Sequence, residues 1–160
     1  MKKLYIIYGR HLSEEHMRRY CQTANPMAVA TLKDYQLVFQ AREHGAGAFA
    51  NVIPAKGHEV PVVIWELSEQ DERHLDIDQG TVEGLRRKER VDIEVNGKTL
   101  QALIYVMDPG PEGVPTDRYL RPMVEGYRDF DLPIKVLNDA ITQAYENTVT
   151  NGSASLRPAL

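Results

Sequence analysis

The residues of this chain best placed to do chemistry sit where its first apolar run ends. Leu4 to Leu12 reads LYIIYGRHL. Gly9 permits a sharp turn and a close backbone approach. Ser13 then stands as an N-cap, with Glu14 and Glu15 in the first turn of a short helix. A strand, a glycine turn and a helix start together aim backbone N–H groups of Gly9 to Leu12 into one small concavity. That geometry suits an anionic group such as a carboxylate, and Arg10 and His11 would add charge to it.

Other chemically capable residues have plainer readings. His11, His16 and Cys21 lack carboxylate–histidine spacing, so they read as surface histidines and a packed cysteine; no metal is expected. His44-Gly45-Ala46-Gly47-Ala48 is a small-residue loop with neither a phosphate-loop lysine nor a following helix, which removes a nucleotide reading. His44, His58 and His74 fall in loops or on a polar helix face. Arg86-Arg87-Lys88 and Arg90 interleave with Glu83, Glu89 and Asp92, the pattern of a solvated face. Nothing in the chain asks for a cofactor.

The elements that must position these residues follow from pattern. Leu4 to Tyr8 is apolar, β-branched and aromatic, the signature of a buried strand. A helix from Glu14 to about Tyr20 follows, and Asn25-Pro26 marks a turn. Met27 to Leu32 is apolar but of undecided type, Lys33-Asp34 is a turn, and Tyr35 to Phe39 is a strand. Phe49 to Ile53 is another short strand, Pro54 to Glu59 a turn, and Val60 to Leu67 the most hydrophobic strand. Ser68 caps a helix, with Asp71 completing a box-like pattern, that ends near Leu75. Val91 to Val95 and Leu100 to Met107 flank Asn96-Gly97, a strong hairpin signal. Thr116 caps a helix to about Tyr127, which Pro122 should kink or shorten. Pro133 begins a last helix whose apolar face is Val136, Leu137, Ala140, Ile141, Ala144 and Tyr145. Trp65 and Tyr35 are expected in the core, whereas Tyr5 and Tyr8 could line a pocket.

Composition bounds the answer. The 160 residues are 42% hydrophobic and 26% charged, which fits one globular domain with a core. We expect it to span 1–149, with 150–160 a disordered tail lacking any core-forming periodicity. A formal net charge of -4 gives no electrostatic case for nucleic acid or an anionic membrane. The longest apolar runs are too short for a membrane helix or a signal peptide. One cysteine, Cys21, excludes an internal disulfide and fits a reducing cytoplasm. About six strands with short helices indicate an α+β domain, and the hairpin-like pairs favour a closed or nearly closed sheet.

At this point the residues carry a resemblance. Tyr8-Gly9-Arg10-His11-Leu12, the strand VPVVIWEL (Val60 to Leu67), LDIDQG (Leu75 to Gly80), the Asn96-Gly97 hairpin and PTDRYL (Pro115 to Leu120) occur in that order. Over roughly residues 3 to 145 the chain resembles the gamma-glutamylcyclotransferase (AIG2-like) family, in its small bacterial branch. The resemblance implies a small mixed β-barrel flanked by helices. It also implies that the loop after the first strand holds a γ-glutamyl group, and that a glutamate in an LDxxEG motif serves as acid/base. In that reaction the substrate's own α-amine attacks its γ-carbonyl, releasing an amine and 5-oxoproline. The protein supplies no nucleophile; it folds the substrate, binds its carboxylate, stabilises the developing oxyanion and moves a proton. Proton transfer of this kind contributes roughly 10²–10⁴-fold.

The chain departs from the family at that centre. Gln79 stands where the resemblance places glutamate, and a primary amide cannot act as a base near neutral pH. The family's YGSN becomes Tyr8-Gly9-Arg10-His11. Tyr8, Gly9, Leu12 and Tyr119 still match. We therefore expect a ligand pocket formed by Tyr8, Gly9, Arg10, His11, Leu12 and Tyr119, with Gln79 at the catalytic position. It would bind a γ-glutamyl-type or other small anionic molecule with impaired catalysis. The alternatives are an active cyclotransferase trapped by a Glu-to-Gln exchange, or one whose base has moved to Asp76, Asp78 or Glu83. The sequence does not set the oligomeric state, and a homodimer is left open.

Overall fold

The structure, a computed structural model, describes residues 2–41 and 47–150. Most of the small-residue loop and the tail beyond Thr150 lie outside these residues. The chain runs β1 (Lys3–Ile7), a 3-10 turn (Arg10–Leu12), α1 (Glu14–Arg18), β2 (Asn25–Ala41) and β3 (Ala48–Leu67). It continues with α2 (Glu69–Gln79), β4 (Arg87–Val95), β5 (Lys98–Val106), α3 (Asp117–Asp129) and α4 (Ile134–Thr150). The five strands form one sheet in the order β2-β3-β1-β5-β4. β1 is central, antiparallel to β3 through Tyr5↔Trp65 and parallel to β5 through Ile6↔Ile104. A strand buried between neighbours must be apolar on both faces, which is why Tyr5, Ile6 and Ile7 run without a polar break.

The α+β class holds, but the closed barrel does not. β2 and β4 are the sheet's edges. They come close enough for Lys33 Nζ to lie 3.9 Å from Glu94 Oε1, yet no backbone ladder joins them among the described residues. The expectation of six strands also fails, for a local reason. Lys33-Asp34 and Pro54 to Glu59 do not end their strands, because the two irregular segments face each other. Asp34 takes φ 65° at a bulge in β2, and its Oδ1 accepts the N–H of Gly57, itself at φ 87° in β3. The two long strands bend together there and continue pairing on both sides.

The helices are fixed by their ends. Ser68 and Asp71 form a reciprocal capping box at the start of α2. The helix does not stop at Leu75 but runs to Gln79, because nothing in Asp76-Ile77-Asp78-Gln79 breaks it; Gly80, at φ 69°, is the stop. LDIDQG is therefore the last helical turn, and not a loop. Ser13 caps α1 by accepting from the His16 N–H, although α1 is only Glu14–Arg18. Pro122 lies inside α3 without ending it. Trp65 is fully buried, with Phe130 edge-on at 6.2 Å, while Tyr35 is only partly buried. Cys21 is buried too; its thiol donates to the Asp71 carbonyl, and burial pushes it up to about 12.

Candidate functional site

One cleft forms where β1 ends, against the last turn of α2. Its walls include Tyr8, Gly9, Arg10, His11, Ala50, Leu75, Asp78, Gln79, Arg86, Tyr105 and Tyr119. Of the residues singled out by sequence, Tyr8, Gly9, Arg10, His11, Gln79 and Tyr119 thus converge from three distant segments. Leu12 does not line the cleft: it is fully buried, its N–H goes to the Gly9 carbonyl at 3.0 Å, and its side chain meets α3. Arg10 and His11 open the 3-10 turn, so their own N–H groups have no partner within it.

The turn is held from both sides. Tyr8 Oη donates to the Tyr105 carbonyl at 2.7 Å, which pins β1 to β5 beneath the cleft. Gly9 has φ −110°, and a Cβ there would meet only Ala50 Cβ at 3.8 Å; the expected glycine-only approach is not at this position. It lies instead at Gly126 in α3, where a Cβ would come within 2.3 Å of Leu12 Cβ and 2.8 Å of the Ser13 nitrogen. Tyr119, also on α3, accepts the Ala50 N–H at 2.9 Å and carries the Arg10 guanidinium 4.8 Å above its ring.

Across the cleft, α2 is clamped by a charged cluster. Lys88 Nζ lies 3.2 Å from Glu72 and 3.1 Å from Asp76, Tyr5 donates to Glu72, and Tyr105 donates to Asp76. Asp76 is therefore committed to this cluster, and Glu83 is exposed outside the cleft. Among the described residues that line the cleft, Asp78 is the only carboxylate. Its Oδ2 accepts from His11 Nε2 at 2.8 Å and from Gln79 Nε2 at 3.1 Å. Burial pushes the Asp78 carboxyl up, but the His11 and Gln79 hydrogen bonds and the nearby Arg10 charge more than offset it, leaving it below its ordinary value. His11 is lowered from its ordinary value by burial, with Arg10 and Arg86 acting the same way and Asp78 opposing them. At neutral pH the pair is thus a carboxylate and a neutral imidazole donating through Nε2. Behind it stands the buried His16, whose ring centroid is 4.8 Å from that of His11 and which burial pushes down to about 4.

Sequence reasoning missed two contributors. Arg86 belongs to a charge run that reads as solvated, yet it lines the cleft with its guanidinium 5.9 Å from the Phe49 ring centre. Tyr105 sits in the continuous apolar run of the Leu100 to Met107 strand, where nothing in the sequence singles it out. No group of three or more His, Cys, Asp or Glu side chains among the described residues is arranged to hold a metal ion. No helix among the described residues is long and apolar enough to cross a membrane.

Comparison with known proteins bears on the family and the fold. The family model described as gamma-glutamyl cyclotransferase, AIG2-like, matches residues 5–128. The Bos taurus gamma-glutamylcyclotransferase is 26% identical over 156 residues, covering 92% of this chain and 83% of the relative. The Homo sapiens gamma-glutamylcyclotransferase is 25% identical over 138 residues, covering 82% and 73%. A solved structure of a gamma-glutamyl cyclotransferase superposes with a TM-score of 0.78 at 24% identity, covering 88% of this chain and 86% of the other, which shows a shared fold.

Proposed function

This chain belongs to the gamma-glutamyl cyclotransferase, AIG2-like family, and from that premise we propose that its cleft binds a γ-glutamyl-type small molecule. The ligand's carboxylate lies against the Arg10–Leu12 turn, and Gln79 occupies the place of the acid/base glutamate. The reading extends the sequence resemblance to the family's small bacterial branch. The observation that carries it is the convergence of Tyr8, Gly9, Arg10, His11, Gln79 and Tyr119 on one cleft. Among the described lining residues, Arg10 and Arg86 give that cleft two guanidinium groups against one carboxylate, a balance that favours an anionic ligand.

Gln79 itself moves no proton. An amide is neither base nor acid near pH 7, so turnover routed through residue 79 falls by roughly the 10²–10⁴-fold that acid–base catalysis supplies. The test is calorimetric titration with γ-glutamyl-alanine and with 5-oxoproline, on the wild type and on R10S/H11N. Saturable binding by the wild type, weakened in the double variant, is expected. Binding by neither form, or binding indifferent to the double substitution, overturns the site.

A further inference from the structure

We propose that the acid/base group of this cleft is Asp78, with His11 as its positioning residue. The inference rests on the ligand reading above and adds what that reading lacks, a group able to carry the proton. Three observations support it. Asp78 is the only carboxylate among the described residues of the cleft wall. It directly precedes Gln79 in the last turn of α2, so it enters the cleft from the same helix end. Its Oδ2 is held by two donors, His11 Nε2 at 2.8 Å and Gln79 Nε2 at 3.1 Å. These bonds, with a further hydrogen bond from the Tyr20 hydroxyl, hold the carboxylate at the cleft wall, where it meets the substrate amine.

The step balances without any further reagent. The α-amine nitrogen bonds to the γ-carbonyl carbon, and the carbonyl π electrons move to oxygen. Asp78 takes one proton from that nitrogen, now positively charged. It then gives the proton to the departing amine nitrogen as the bond between carbon and that nitrogen breaks and the carbonyl re-forms. The products are 5-oxoproline and a free amine, and the carboxylate is regenerated. His11 stays neutral throughout, donating to Asp78. Because the Asp78 carboxyl sits below its ordinary value, it remains ionised in the free protein across the neutral range.

The groups facing Asp78 are His11 and Arg10 from the turn, His16 from α1, Tyr20 and Cys21 just beyond it, and Gln79 beside it. Removing His11 takes away the largest opposition to burial, so the carboxyl must then titrate at higher pH. The experiment follows 5-oxoproline release from γ-glutamyl-alanine between pH 4 and 9, with 5-oxoproline affinity measured in parallel. It uses the wild type, D78N, H11N and H11Q, each checked for native melting. We expect measurable wild-type turnover, a loss of at least 100-fold in kcat for D78N with affinity kept within several-fold, and an acid limb shifted to higher pH in H11N and H11Q. Wild-type protein that binds but does not turn over overturns the Asp78 assignment and leaves the ligand reading standing. So does D78N with wild-type kcat. An unmoved acid limb in both folded His11 variants overturns the positioning role. Absence of any binding overturns the ligand reading itself.

Discussion

Gly126→Ala adds one methyl group at the point where α3 meets the ligand turn. The new Cβ would lie 2.3 Å from Leu12 Cβ, 2.6 Å from the Leu12 carbonyl carbon and 2.8 Å from the Ser13 nitrogen. Two of these atoms are backbone and cannot swing aside as a flexible side chain would. Separation to ordinary contact requires the turn or the helix to move by about 1 Å. Alanine gains about 1 kcal/mol of helix propensity over glycine, while overpacking a rigid contact costs about 1–3 kcal/mol or more. We expect the upper end of that cost and a net loss of about 2 kcal/mol, which is roughly 4–8 °C in Tm for a chain of this size. The displaced segment carries Arg10 and His11, so affinity for γ-glutamyl-alanine should fall by about tenfold or more, in line with a lost contact of about 1.4 kcal/mol. Thermal melting and calorimetry on G126A measure both, with V124A, at an exposed position of the same helix, as the control. A G126A protein with unchanged Tm and affinity would refute the close packing of α3 on the turn.

Three further outcomes follow from the same geometry. Y119F removes the acceptor of the buried Ala50 N–H and should cost about 1–3 kcal/mol in urea unfolding, the usual penalty for an orphaned donor. His16 is held neutral near 4 by burial, against an ordinary value of 6.5. The unfolded chain therefore binds the extra proton first, and stability is full above about pH 6.5 and falls as pH drops toward 4. Between pH 7 and 5 this loss should be about 1–2 kcal/mol, flattened in H16N and read from urea midpoints. Q79E replaces a donor to Asp78 Oδ2 by a second carboxylate at about the same 3.1 Å. One of the two must then hold a proton near neutrality, so Q79E should melt below the wild type and D78N/Q79E should recover the loss.

What the sequence made legible was whatever local chemistry decides. Ser13, Ser68 and Thr116 announce helix starts because a side-chain oxygen satisfies an N–H two or three residues on, and each does so here. Asn96-Gly97 specifies a two-residue turn, and Val95 pairs with Lys98 across it. Asp34 and Gly57 were misread as strand ends because their turn chemistry is real, whereas their mutual hydrogen bond depends on two strands meeting. The convergence of Tyr8 to His11 with Gln79 and Tyr119 came from the resemblance, not from spacing. The hydrogen bond between His11 and Asp78 spans 67 positions and left no periodic trace. Gly126 shows the same limit. Its need for a missing Cβ is a property of the α3 contact with Leu12, while Gly9, the glycine that looked indispensable, stands in ordinary space.

The last turn of α2 offers two adjacent positions from which a side chain reaches the cleft. Glu72 and Asp76 share one helical stripe, and the Lys88 cluster holds that stripe against the sheet. Leu75 and Asp78, three apart, share the next stripe, and both line the cleft. Residue 79 lies three beyond Asp76, at the seam between the stripes, and reaches the cleft from the other edge. Gly80 ends the helix immediately afterwards, so no further turn covers either residue. Positions 78 and 79 are therefore alternative routes from one clamped helix to one cavity. They differ in which donors they can meet. Position 78 faces the ligand turn, where His11 stands. The base proposed at 78 depends on a donor at position 11 to orient it, and the histidine there has its buried partner only while an acid stands at 78. His11 and Asp78 share one hydrogen bond, so double-mutant analysis of H11N and D78N should give a non-additive stability and rate, whereas additive effects would separate them.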